Sequence, residues 1–234
     1  MKALAFRVSF FEHLFKVHYT KAFKLSYPTL LPTSSLGLVG NICGFDRKEV
    51  LKEIGDFYYG SAFLSGEAIE ENITFIQFKK EKGKYRSGVV KAQVYNNSEH
   101  IIIVAGEEEN LKERILEKIN IIKSDYLEDS FGRWYLVKVS RYPYGGQNDF
   151  FAKDIRILDK VLDVEEKSEI SLGYIPIEAI KNIENSTEID ILPVRTKNGM
   201  KYFAFIKKGK VLLKNKVLTA KGIPIYKVNE FYYL

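Results

Sequence analysis

The stretch from Ser26 to Gly44, SYPTLLPTSSLGLVGNICG, leaves the chain few options. Pro28 and Pro32 disfavour helix for themselves or for the residue before, so the approach is extended. Thr33, Ser34 and Ser35 then arrive together, residue types that start and cap a helix. Behind them Leu36, Val39, Ile42 and Cys43 recur at helical spacing and give one apolar face. Gly37, Gly40 and Gly44 fall at the same spacing. An interior glycine costs a helix roughly 1 kcal/mol against alanine, so two within two turns need a reason. One is close packing of this helix on a sheet. The other is a helix start whose free N–H groups and hydroxyls face a phosphate. The two are compatible.

Around this stretch the chain alternates strands with a few helices. Lys2–Phe11 reads as a buried strand. His13–Lys24 mixes Lys16, His18, Tyr19, Lys21, Phe23 and Lys24, which suits RNA or a loop with aromatic anchors. Asp46 is placed to cap a second helix, Arg47 to about Tyr59, with Val50, Leu51, Ile54 and Phe57 inside. Asn72–Phe78 and Val89–Tyr95 read as a protruding hairpin, with KKEKGKYRSG at its tip. Lysines there suit a polyanion, or serve only to keep a sheet edge from pairing with other chains. Asn96–Asn97 makes a turn before the apolar strand His100–Ala105. The stripe Leu111, Ile115, Leu116, Ile119 and Ile122 predicts a helix that opens after Gly106 on three glutamates. Arg133–Arg141 alternates as a strand. YPYGGQNDF then suggests a boundary near Gly146, dividing a domain at 1–146 from a β-rich subdomain at 147–234. In the latter, strands are expected at Glu188–Val194, Lys201–Lys207, Val211–Val217 and Ile223–Val228, with a helix at Ile177–Ile183. The fold class read from these patterns is α+β, in the ferredoxin-like order strand, helix, strand, strand, helix, strand with an inserted hairpin (about 72–95).

Charge is modest in sum and uneven in place. The 36 basic and 30 acidic side chains leave +6. Yet Lys79 to Lys91 carries six cations against Glu81, and Arg195–Lys221 has nine and no acid. Asp159–Asp190 holds nine acids against three lysines. Segregation of this kind suggests a polyanion-facing surface, or an ordinary solvated one. No run is apolar and long enough to span a membrane. The charged N-terminal strand also lacks a cleavage site, so a cytoplasmic protein is expected. A single cysteine, Cys43, excludes an internal disulfide and reads as a small buried hydrophobe.

Most catalytic signatures are missing. There is no GxGxxG, P-loop, HExxH or GxSxG pattern, and His13, His18 and His100 lack metal-ligand spacing. No cofactor and no metal are expected. Metal-independent RNA cleavage needs only a base, an acid and a cation near a 2′-hydroxyl, so it stays open.

A short N-terminal strand, a basic aromatic linker, SYP, a run of small residues and GLVGNICG together resemble the signature of the CRISPR-associated Cas-five family. That family belongs to the RAMP superfamily of guide-RNA proteins on ferredoxin-like folds. The likeness is strong over Leu4–Gly44 and follows element order over about the first 140 residues. It implies a non-catalytic subunit that holds the 5′ handle of the guide RNA (crRNA) at the foot of a type I Cascade surveillance complex, in antiviral defence. Its partners would be that handle, the Cas-seven-type backbone subunit and the large subunit, with no membrane. Thr33, Ser34 and Ser35 would receive handle phosphates, approached by Lys24 and Tyr27. Lys84, Arg86 and Lys91 would lie on the thumb hairpin. Arg133, Arg141 and Tyr144, which flank the last strand of the sheet, would add further RNA contacts. One branch of the family cuts precursor guide RNA with a tyrosine and a Lys-His pair. Tyr27 and Lys91 are present here, but no Lys-His dipeptide is. A protein-only assembly factor is the remaining alternative.

Overall fold

The computed structural model describes residues 1–18, 23–79, 84–122, 126–128, 130–131, 134–136, 145–146 and 152–231. The first strand, β1 (Lys2–His13), lies at the centre of the main sheet. Two short ribbons follow, β2 (Phe15–Lys16) paired with β4 (Ser26–Tyr27), and β3 (Phe23–Lys24) laid parallel on a later strand. Helix α1 is Pro32–Ile42 and α2 only Val50–Ile54. A hairpin of β5 (Tyr58–Lys79) and β6 (Lys84–Gly106) comes next. Then α3 (Glu108–Leu111) runs through a π-helical turn into α4 (Glu117–Ile122). After β7 (Tyr126–Glu128) and β8 (Trp134–Leu136), β9 (Ala152–Ile170) pairs with β1. The rest is β10 (Gly173–Pro176), β11 (Ile180–Ile183), β12 (Glu188–Thr196), β13 (Gly199–Lys208), β14 (Val211–Ala220), β15 (Ile223–Pro224) and β16 (Tyr226–Lys227).

The main sheet runs β11-β14-β9-β1-β6-β5-β16, and β10-β13-β12 form a second one. Within the first, β9, β1, β6 and β5 are mutually antiparallel neighbours, with α1 between β1 and β5 in sequence. Alternation sorts β1. Leu4, Phe6, Val8 and Phe10 enter the main core with Leu36, Val39 and Ile42 of α1, while Ala3 and Ala5 face the other way onto Ile101, Ile103 and Ile223. The main core also takes Tyr174, Val194, Phe203 and Phe205, so residues beyond 146 pack with those before it. Strand β9 crosses between them, pairing β1 as far as Asp163 and β14 from Val164 onward.

Several expectations change. The fold is mostly β rather than evenly α+β. The second helix is one turn, because Gly55 ends it and Tyr58 and Tyr59 already belong to β5; Leu51 is exposed. Asn96–Asn97 is no turn. It lies within β6, where Asn97 adopts φ 45° beside register shifts at Ser65–Glu67, and bulges of this kind bend a hairpin without ending it. The basic hairpin is therefore the far half of β5–β6, not an insertion. Ile177–Ala179 forms a 3-10 turn and Ile180–Ile183 is β11, paired to β14. The strand beside β1 is β9, not 133–141, of which the described part β8 pairs β7 and touches β9 at Ile155. The strands at 188–194, 201–207 and 211–217 are present as β12, β13 and β14, while 223–228 is broken into β15 and β16. The acidic and basic C-terminal runs meet in three ion pairs among the described residues. Glu169 pairs with Lys210 and Asp190 with Lys207 (both 2.7 Å), and Glu178 with Lys201. Part of the segregation along the sequence is thereby neutralised across the sheets.

Candidate nucleic-acid interface

The signature stretch folds as an extended arm feeding a helix. Leu31 is the extended residue before α1 and Pro32 its first residue, a position where a missing N–H costs nothing. No side chain caps the helix. The expected capping hydroxyls therefore sit inside the first turn: Ser34 exposed, Thr33 half-buried, Ser35 buried with its Oγ unpartnered among the described residues. The glycines divide. A Cβ on Gly40 would stand 2.5 Å from Val50 Cγ2, so this glycine admits α2, whereas Gly37 faces open space. Gly44, at φ 76°, closes the helix in a Schellman turn, with Phe45 N–H donating to Gly40 O and Gly44 N–H to Asn41 O.

The arm is tied down from beneath. Tyr27 is buried, its ring stacks on Phe205, and its hydroxyl donates to Pro193 O at 2.6 Å. Thr29 Oγ1 lies 2.9 Å from Ser61 Oγ and 3.2 Å from His100 Nδ1, and Ser61 donates to Leu30 O. Tyr27 and Ser35 are thus core residues, a correction to the expectation that they meet a ligand. The apolar ring of Tyr27 gains more from Phe205 than from solvent. His13 and His100 are enclosed as well. His13 is sandwiched between Phe15 and Tyr95 and hydrogen-bonded to Ser98 Oγ (2.7 Å) and Tyr27 O (3.2 Å). Burial lowers the pKa of His13 to about 3 and that of His100 well below its usual value, so both are neutral at pH 7. Cys43 is buried too, and its thiol is pushed up to about 12.

Above this base, cations converge. The β2–β4 ribbon continues through Val17 N–H to Leu25 O (2.8 Å), which places Lys16, His18 and Lys24 on one small platform. Strand β3 joins β6 at Phe23–Lys91 and Lys24–Ala92, which ties the ribbon to the hairpin and puts Lys91 on the face of Phe23, opposite to that of Lys24. The Tyr27–Pro193 bond docks β12 against the same ribbon, two residues before Arg195. Burial lowers the pKa of His18, followed by the positive charges of Arg195 and Lys16; burial and then Lys16 lower that of Lys24. Cations held close enough to disfavour the charged forms of His18 and Lys24 make a focus of positive potential.

Of the sequence-predicted residues, the fold brings Lys24 to this platform, sets Lys91 on the neighbouring strand facing the other way, and puts Thr33 and Ser34 at the start of the helix the platform feeds. Lys84 and Arg86 lie on the far half of the hairpin and are described by their backbone alone. Arg133, Arg141 and Tyr144 lie outside the described residues. Sequence reasoning missed Arg195, 168 positions after Tyr27 in sequence, because only a tertiary contact joins it to the arm. No group of three potential metal ligands occurs among the described residues.

The fold is similar to that of a CRISPR protein from Archaeoglobus fulgidus, with TM-score 0.52 and 13% identity over 97% of this chain and 100% of that one. At that identity the likeness is one of fold. Weaker likenesses are to a chain of a CRISPR RNA-guided surveillance complex (TM-score 0.47, 12% identity, 95% and 91% covered) and to a Cas protein crystal structure (0.43, 12%, 91% and 95%). No family model and no curated protein matches the chain. Among the described residues, no helix is long and apolar enough to cross a membrane.

Proposed function

We propose that this chain is a guide-RNA-binding subunit of a CRISPR interference complex, a RAMP protein of the Cas-five type on a ferredoxin-like framework. The order β9-β1-β6-β5, with helices after β1 and β6, supports that framework, and the far half of β5–β6 serves as its thumb. The observation that carries the reading is the convergence of Lys16, His18, Lys24 and Arg195 on the ribbon that leads into α1. Phosphates of the 5′ handle lie over this platform and meet Thr33 and Ser34 at the helix start, where two free N–H groups add to the field. Bases splay from that backbone and are read on their edges. The backbone and large subunits meet the remaining surfaces. The test is binding of labelled guide RNA with and without its handle. Lys16→Ala/Lys24→Ala is expected to weaken handle binding about tenfold or more, because each single-strand phosphate contact adds about 0.7 to the salt slope.

A second reading has one observation in its favour. His18 is the exposed histidine of the platform, and an imidazole beside lysines is a general base beside cations. A guide-processing ribonuclease working this way would leave products with 2′,3′-cyclic phosphate ends, and His18→Ala would abolish them. Intact repeat RNA after incubation removes this reading and leaves the scaffold.

A further inference from the structure

The outer face of the second sheet carries an aromatic ring beside the cationic platform. Along β12 and β13 the ladder sets Ile191 opposite Ala204, Pro193 opposite Tyr202 and Arg195 opposite Met200. Opposed residues of an antiparallel pair share a face. These stand on one side, with Leu192, Val194, Phe203 and Phe205 on the other, against the main core. One end of the outer face is closed, where Ala204 and Ile206 pack with Ile175, Val211 and Leu213. The other end is open: Tyr202 is 51% exposed, Ile191 53% and Met200 48%. Phe203 and Phe205 both meet the Tyr174 ring, whereas the Tyr202 ring and hydroxyl have no hydrogen-bond or ring partner among the described residues. The open end adjoins the platform. Pro193 O accepts the Tyr27 hydroxyl (2.6 Å), and Arg195, diagonal to Tyr202 in the ladder, is the charge that acts on His18. Strands β12 and β13 bring no carboxylate to this face between Ile189 and Ile206, because Asp190 lies on the opposite face, where it meets Lys207 and Tyr95. An acid-free surface with an unpartnered ring, next to cations, matches a single-stranded nucleic acid: phosphates lie on the cations and a base stacks on the ring.

We infer that Tyr202 is a base-stacking residue: one base of single-stranded RNA lies on its ring, between Ile191 and Met200, while the phosphates beside that base stay on the platform. The inference rests on the RNA reading above and adds the place where a base is held. Platform cations fix the backbone, and a base on Tyr202 is held through its π-face instead.

The experiment uses the full chain, a fluorescein-labelled guide RNA with its handle, and a set of the same RNA in which one handle base at a time is replaced by an abasic site. Affinity is read by fluorescence anisotropy across a salt series. Tyr202→Ala should lower affinity about tenfold and leave the salt slope unchanged, because stacking releases no counterions. Tyr202→Phe keeps the ring and should bind as wild type, which separates a missing stack from misfolding. One of the abasic RNAs should bind wild type about tenfold more weakly and lose nothing further with Tyr202→Ala. Tyr202→Ala binding as wild type, while Lys16→Ala/Lys24→Ala binds weakly, would overturn the stacking site and leave the proposed function standing. An equal loss with Tyr202→Ala on handle-bearing and handle-free RNA would keep the site and overturn the handle assignment. A loss that lowers the slope as well, and adds to that of every abasic site, would overturn it in favour of a support for the platform cations. A chain that sediments as a dimer without RNA and as a monomer in Tyr202→Ala, with RNA affinity unchanged, would overturn it in favour of a second copy of this chain.

Discussion

At the scale of single residues, burial decides more than residue type. His13 and His100 are held neutral in an aromatic enclosure, whereas in the unfolded chain they protonate near pH 6.5. Below that pH the unfolded state binds more protons, so stability falls as pH falls, and the loss continues toward the depressed folded values. Each histidine should cost about 2 kcal/mol between pH 7 and pH 5. Thermal melts across that range should show the decline, and His100→Phe should flatten it by about half. The glycines of α1 give a pair of opposite signs. Gly40→Ala collides with Val50 and should destabilise by about 1–3 kcal/mol, while Gly37→Ala meets no neighbour and should stabilise by about 0.5–1 kcal/mol. Urea titrations of the two variants measure both. A packing glycine and a merely tolerated one look identical in sequence, because what separates them is Val50 on another helix. The same holds for Tyr27. Its neighbour Pro28 marks an extended arm, but nothing local announces that Phe205 and Pro193 will enclose it.

At the scale of elements, strand cores and the amphipathic stripe at 108–122 were legible, since their periodicity is written within ten to fifteen residues. Element ends were not. The β5–β6 hairpin crosses Asn96–Asn97 because the neighbouring strand β1 keeps pairing through it, at Ser98 and Asn96, and turn propensity yields to a continuous ladder. Beyond the bulges the hairpin is supported mainly by Leu14, Ala92 and Val94 with Ile69 and Ile73. Replacing 74–89 by a two-residue Asn-Gly turn should therefore leave the melting temperature within a few degrees. It should also reduce the salt dependence of RNA binding by about 0.7 for each phosphate that the shortened hairpin no longer reaches. An unfolded variant would show that the tip belongs to the folding core.

At the scale of the whole molecule, β9 stitches the halves into one sheet, and Tyr174, Val194, Phe203 and Phe205 complete a core begun by β1 and α1. Calorimetry should accordingly record a single cooperative transition; two separated ones would mean that 147–234 folds by itself. The same closure explains why the candidate site was only half visible in the sequence. Lys24, Thr33 and Ser34 are local to the signature stretch, but Arg195 reaches it through β12, and Lys201, Lys207 and Lys210 of the basic run around it are taken up by acidic partners. Charge along the sequence did not show that Lys201, Lys207 and Lys210 find acidic partners, and gave no hint of the focus at Lys16–Arg195.

That focus is tested most directly by one measurement, the binding of handle-bearing and handle-free guide RNA to wild type and to Lys16→Ala/Arg195→Ala across a salt series. Preference for the handle, a wild-type slope near −3, and its reduction by about 1.4 in the double variant are the predicted results, at about 0.7 per phosphate contact. Equal affinity for both RNAs, with a slope untouched by the double variant, would contradict the account.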